Sequence, residues 1–159
     1  MSIPAFKCVV FKSGSTHCDS RKARASVTDD GNAISVLFDK MKVEGGAKKR
    51  GHDRARCELI FKLVSPLEAT AEVQFDVRGA VVKIGKGSAS AAIEIRGHRQ
   101  SLVLDSDNPE ANMFITILPK GAKRLNVSLV ASAKGKHPES SAMVAIDSIE
   151  AIIRSTSVK

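Results

Sequence analysis

Between residues 48 and 56 the chain carries Lys48, Lys49, Arg50, Arg54 and Arg56, with His52 among them and Asp53 the only acid. Such side chains hold phosphate, sulfate or carboxylate groups, lysine as a point charge and arginine as a planar fork matched to two oxygens. Arg21, Lys22 and Arg24 form a second basic run. The expectation is an anion-binding surface built on a loop over 45–53, with Arg21, Lys22 and Arg24 as neighbours if Cys18 pairs with Cys57. Its binding would fall with salt and discriminate little between polyanions. The same run also reads as a solvated basic loop that only aids solubility.

The other reactive residue types form no comparable pattern. Cys8, Cys18 and Cys57 are three in number, so at least one stands outside any intrachain bridge. Cys18 lies in a polar segment, Thr16-His17-Cys18-Asp19-Ser20. A Cys18–Cys57 bridge would tie that segment to the basic loop and contribute about 3–4 kcal/mol through loop closure. Three reduced thiols in a cytosolic protein are the alternative. His17, Cys18, His52 and Cys57 are zinc-ligand types, but their spacing fits no known zinc pattern, and no metal is expected. Asp105, Asp107 and Glu110 flank Asn108-Pro109, where Asx residues serve a turn as readily as a calcium ion. Asn126-Val127-Ser128 is a glycosylation sequon, relevant only in a eukaryotic secretory route. No G-x-S-x-G, H-E-x-x-H or G-x-x-x-x-G-K-[ST] occurs, and His17, His52, His98 and His137 have no evident nucleophile beside them. Neither a catalytic site nor a cofactor is expected.

Composition narrows the partner. The 159 residues carry a net charge of +8, and residues 1–100 hold 18 basic and 11 acidic side chains. That asymmetry points to an anionic protein, polysaccharide or surface as partner; nucleic acid is compatible with it but not favoured. There are six Phe but no Tyr or Trp. Sugar-binding sites and single-strand nucleic-acid platforms usually stack their ligands on exposed aromatic rings, so a lectin and an RNA-stacking module are both disfavoured. No apolar run approaches the roughly 20 residues that span a bilayer. Residues 1–11 do not form an intact signal peptide.

The elements that would position these residues have a period of two. Cys57, Leu59, Phe61 and Leu63 alternate with Glu58 and Lys62; Ala71, Val73, Phe75 and Val77 alternate with Glu72, Gln74, Asp76 and Arg78; Leu125, Val127, Leu129 and Ala131 alternate with polar neighbours. Each pattern predicts a half-buried strand. Further strands are expected over about 6–11, 23–28, 33–41, 81–84, 89–95, 101–104 and 113–118. Turn signals such as Asp29-Asp30-Gly31-Asn32, Ser65-Pro66 and Pro119-Lys120-Gly121 separate them. Gly79 marks a bulge or bend within a long run. Residues 142–154 fit a helix face and a broken strand equally. The reading is one all-β domain over 1–159, a two-sheet antiparallel sandwich of about nine or ten strands.

The order of Cys18, the run Asp29 to Asp39 ending in Phe38-Asp39, Gly45-Gly46, Arg56-Cys57-Glu58-Leu59, Ser65-Pro66-Leu67 and Val73 to Gly79 ending in Arg78-Gly79 resembles the secreted, cysteine-bearing domain-of-unknown-function family 4360 over residues 15–100. The chain lacks that family's usual tyrosines, and no cysteine follows Cys57. The resemblance implies a secreted β-sandwich with Cys18 paired to Cys57, and it implies no activity.

The resulting expectation is a secreted or extracytoplasmic, non-enzymatic binding module, its signal segment absent from this chain, with no membrane span. A cytoplasmic protein is the alternative location. The rival functions are a self-assembling coat or fibre subunit, joined through exposed strand edges, and a hydrolase with an unrecognised site.

Overall fold

Successive side chains of a strand point to opposite faces, so alternating apolar residues make one face that must be covered. The computed structural model describes residues 5–12, 23–39, 41–46, 52–68, 70–95, 98–102, 110–117, 119, 121–136 and 140–155. They form eleven strands: β1 (Phe6–Phe11), β2 (Ala23–Val27), β3 (Ala33–Phe38), β4 (Lys42–Gly45), β5 (His52–Leu63), β6 (Ala71–Ile84), β7 (Ser88–Ile95), β8 (His98–Leu102), β9 (Glu110–Ile117), β10 (Arg124–Lys134) and β11 (Ser141–Ser155). Sheet one has the order β1-β5-β10-β7-β8. Sheet two has the order β2-β3-β11-β6-β9, with β4 also pairing to β11. All neighbours are antiparallel. The two-sheet sandwich is the architecture the alternation predicts.

The three best-patterned strands bury the faces expected of them. Cys57, Leu59, Phe61 and Leu63 of β5 and Leu125, Val127, Leu129 and Ala131 of β10 meet Val73, Phe75 and Val77 of β6 and Ile149, Ala151 and Ile153 of β11 in a single core. Phe61 joins the sheets. Its ring lies edge-on to Phe75 of sheet two at 5.6 Å and to Phe6 of β1 at 6.3 Å. Such pairs stabilise by about 0.5–1.5 kcal/mol beyond the area they bury.

Three details depart from the expectation. Residues 33–41 do not form one strand: β3 stops at Phe38 and β4 begins at Lys42. Residues 81–84 are not separate, because β6 runs without a break through Gly79. And β5 starts at His52, not Arg56, since β10 pairs with it as far as Lys134 opposite His52 and Ala55 is buried. Arg54 therefore lies within the strand, as Arg56 does.

Residues 141–155 form a strand, and its pattern resisted both templates for a physical reason. The β11–β6 register shifts between Ile146 and Ser148. Before the shift Ala142, Val144 and Ile146 face the core, and after it Ile149, Ala151 and Ile153 do. Asp147 is the extra residue of a β-bulge, which reverses the parity of the strand. Gly79 stands opposite Ile146 at this point, and a Cβ there would collide with the carbonyl oxygen of Ala145. The bulge thus lies on β11, and Gly79 is the gap that admits it.

The β2–β3 turn is closed by side-chain hydrogen bonds. The Thr28 hydroxyl and the Asn32 amide donate to Asp30 Oδ1 at 2.8 and 2.9 Å, and Gly31 takes a φ of 74° that only glycine adopts at little cost. The Phe6 amide donates to the Gly31 carbonyl at 2.7 Å, tying the turn to β1.

Two outcomes follow from these contacts. Gly79→Ala should lower the stability measured by denaturant unfolding by about 1–3 kcal/mol, because the backbone of β11 must yield. The Asn32 amide, then the Thr28 hydroxyl, hold the exposed Asp30 carboxyl below its ordinary value of 3.8. Its folded value lies under its unfolded one, so its contribution is complete above 3.8 and lost as pH falls through the folded value. Carboxyl NMR should place the Asp30 midpoint below 3.8, and Asp30→Asn should remove that part of the acid sensitivity.

Candidate functional site

The inner faces being filled with apolar side chains, polar chemistry is confined to the two outer faces. On sheet one the parity of β5 sends Arg54, Arg56, Glu58, Ile60 and Lys62 outward. Arg54 stands opposite Ser132 of β10, which stands opposite Ser90 of β7; Lys134 stands between His52 and Ser88. Ser88, Ala89, Ser90, Ser132 and Lys134 line a shallow groove of about 200 Å³ at this end of the sheet. Cationic and hydroxyl side chains thus alternate across three strands, with Arg54 and Lys134 exposed.

Farther along the face the charge is balanced. Arg56 Nη2 lies 3.0 Å from Glu58 Oε1, and Ser128 separates Glu58 from Glu94. The Arg54 end is therefore a local cationic groove and not part of a uniformly basic sheet.

Of the predicted anion-binding residues, Arg54 and Arg56 share one outer face. Arg24 does not join them. It lies on β2 opposite Leu37, at the edge of sheet two and turned away from sheet one. The chain changes sheets between β1 and β2, which separates Arg24 from Arg54 and Arg56. Lys48, Lys49, Arg50, Arg21 and Lys22 lie outside the described residues, as does Cys18. Ser88, Ser90, Ser132 and Lys134 were missed by the sequence reading. Their signal was present as Ser88-Ala89-Ser90 and Ser132-Ala133-Lys134, alternating small and polar residues on two strands that only the register brings together.

Cys57 has no exposed surface and is disulfide-bonded, while Cys8 is a free thiol. A bonded, core-facing sulfur is no zinc ligand. Among the described residues no group of three His, Cys, Asp or Glu side chains converges. On sheet two the outer face carries Asp76, which is 8% exposed and stands opposite Glu150. Arg78 Nε donates to Asp76 Oδ2 at 3.3 Å, and the Ser35 hydroxyl donates to Glu150 at 3.1 Å.

No family model and no curated protein matches the chain. Among solved structures, the CBM36-1 domain of a multidomain xylanase from the hindgut metagenome of Trinervitermes trinervoides is 12% identical, with 95% of this chain and 98% of that one covered and a TM-score of 0.42. TmCBM61, solved with β-1,4-galactotriose, is 13% identical over 94% and 88% of the two chains, with a TM-score of 0.34. The family 11 carbohydrate-binding module of Clostridium thermocellum, solved with a mixed-linked tetrasaccharide, is 10% identical over 94% and 95%, at 0.27. These are remote likenesses, and the fold described above rests on the strands themselves.

Proposed function

We propose that the protein is a non-catalytic binding module that takes an anionic polysaccharide on the outer face of sheet one, at the groove between Arg54 and Lys134. The observation that carries this reading is the register: it sets Arg54, Ser132 and Ser90 in one row and Lys134 and Ser88 in the next. Guanidinium and ammonium groups match sulfate or carboxylate substituents, and serine hydroxyls exchange hydrogen bonds with sugar hydroxyls. With no Tyr or Trp in the chain, affinity comes from charge and not from ring stacking. No helix among the described residues is long and apolar enough to cross a membrane.

The bonded state of Cys57 supports a location outside the reducing cytosol. We take Cys18 as its partner, as the resemblance to family 4360 implies, and the family assignment itself stands as part of the proposal.

On immobilised heparin, a sulfated polysaccharide, the protein should be retained and elute with salt. Arg54→Glu with Lys134→Glu, and separately the reversal of Lys48, Lys49 and Arg50, should lower the salt concentration of elution while leaving the thermal midpoint within about 2–4 °C, the shift expected for roughly 1 kcal/mol at this size. Unchanged retention in both variants overturns the proposal. The bridge is tested by thiol titration under denaturing conditions: native protein should show one thiol and reduced protein three, whereas three in both rejects the Cys18–Cys57 pairing.

A further inference from the structure

The opposite end of the same sheet carries a second cationic groove, made by residues that no sequence motif singles out. Here the chain segments after β5 and before β10 are locked together. The Leu67 amide donates to the Ala122 carbonyl and the Gly121 amide to the Leu67 carbonyl, both at 2.9 Å, and the Leu63 amide donates to the Lys123 carbonyl at 3.0 Å. The result is a groove of about 210 Å³ lined by Lys7, Lys62, Leu63, Lys123 and Arg124.

Three observations set this groove apart from ordinary surface charge. Lys62 and Arg124 are direct cross-strand partners, an arrangement of like charges that destabilises a sheet. Among the described residues, none of the four cations is ion-paired with a carboxylate. And Lys7 is the extra residue of a register shift in β1, since Phe6 pairs with Leu63 and Cys8 with Lys62. Bulges re-aim side chains and gather next to functional sites. Here the bulge places a cation, Lys7, at a groove that already holds three. The arrangement lacks one component, a negative charge.

We propose that this groove is an anion site that takes a single tetrahedral oxyanion, a sulfate or phosphate group, held by Lys7, Lys62, Lys123 and Arg124. Four cations around one groove of about 210 Å³ suit a single compact, multiply charged group, whose oxygens each accept a charge-assisted hydrogen bond. The site does not rest on the reading of the Arg54 end, which lies about 26 Å away along β5 at about 3.3 Å per residue.

The test uses the full chain and two probes, inorganic sulfate and inorganic phosphate, titrated against chloride at constant ionic strength and followed by amide NMR and the thermal midpoint. Saturable shifts confined to Lys7, Lys62, Lys123, Arg124 and their neighbours, with a raised midpoint, are expected. Response to both anions assigns the site to charge and tetrahedral shape, and response to one alone identifies which ester it takes; either supports the proposal. Lys62→Gln should weaken binding about tenfold, the scale of a lost charge-assisted bond, while raising the anion-free midpoint by relieving repulsion with Arg124. The exposed pair Lys7→Gln and Lys123→Gln should weaken it likewise without touching the cross-strand pair. Shifts that match those in chloride, or binding unchanged in both variants, overturn the proposal. Shifts at Arg54 and Lys134 with none here overturn it and leave the reading of the other end standing.

Discussion

The burial of two apolar faces against one another is the constraint from which the remaining features follow. Once Phe61 is wedged between Phe6 and Phe75, the parity of β5 is set, and with it the identity of every residue that β5 can offer to solvent. A one-residue slip would bury Arg54, Arg56 and Lys62 and expose Phe61, so the register is held by the whole hydrophobic energy of the strand. The cationic side chains on the outside are consequences of which positions the inside has left over. Their spacing across strands is set by hydrogen-bonded register, which is why groups distant in sequence, such as Ser90, Ser132 and Arg54, come to lie in one row.

The two ends of sheet one differ in how they are held. At the Arg54 end the groove lies where β5, β10 and β7 run side by side, and its polar residues come from the regular alternation of those strands. At the Lys62 end, hydrogen bonds between the segments around Leu67 and Ala122 fix the strand termini, and a register shift in β1 supplies a side chain that regular alternation would not. Between the ends, Glu58 and Glu94 interrupt the positive charge. The face is therefore two discrete cationic grooves separated by a mixed belt, not one continuous basic track.

The architecture was legible in the sequence because alternation is a local signal. Runs such as Cys57 to Leu63 and Leu125 to Ala131 announce both strand and inner face without reference to any partner. What could not be read was whatever depends on partners. Arg24 was expected beside the basic loop on the strength of a Cys18–Cys57 bridge, yet β2 and β5 belong to different sheets. Lys7, Lys62, Lys123 and Arg124 carry no motif, being single residues from three places in the chain that meet only through register. Residues 141–155 defeated the reading for the opposite reason: the signal was there, but Asp147 inverts its phase halfway along, so counting over the whole segment averages two clear patterns into none.

That inversion bears on how the strand tolerates changes of length. In an unbroken ladder an inserted or deleted residue is transmitted to the far end, and every later side chain exchanges core for solvent. Strand β11, paired on both sides and threaded through the middle of sheet two, would be the most sensitive of all to such a change. At Asp147 one residue beyond the ladder's need has already been absorbed locally, with Gly79 leaving room for the displaced backbone. The strand thus behaves as two shorter reading frames joined at a phase joint, and a change of length is confined to one frame only if it falls at that joint.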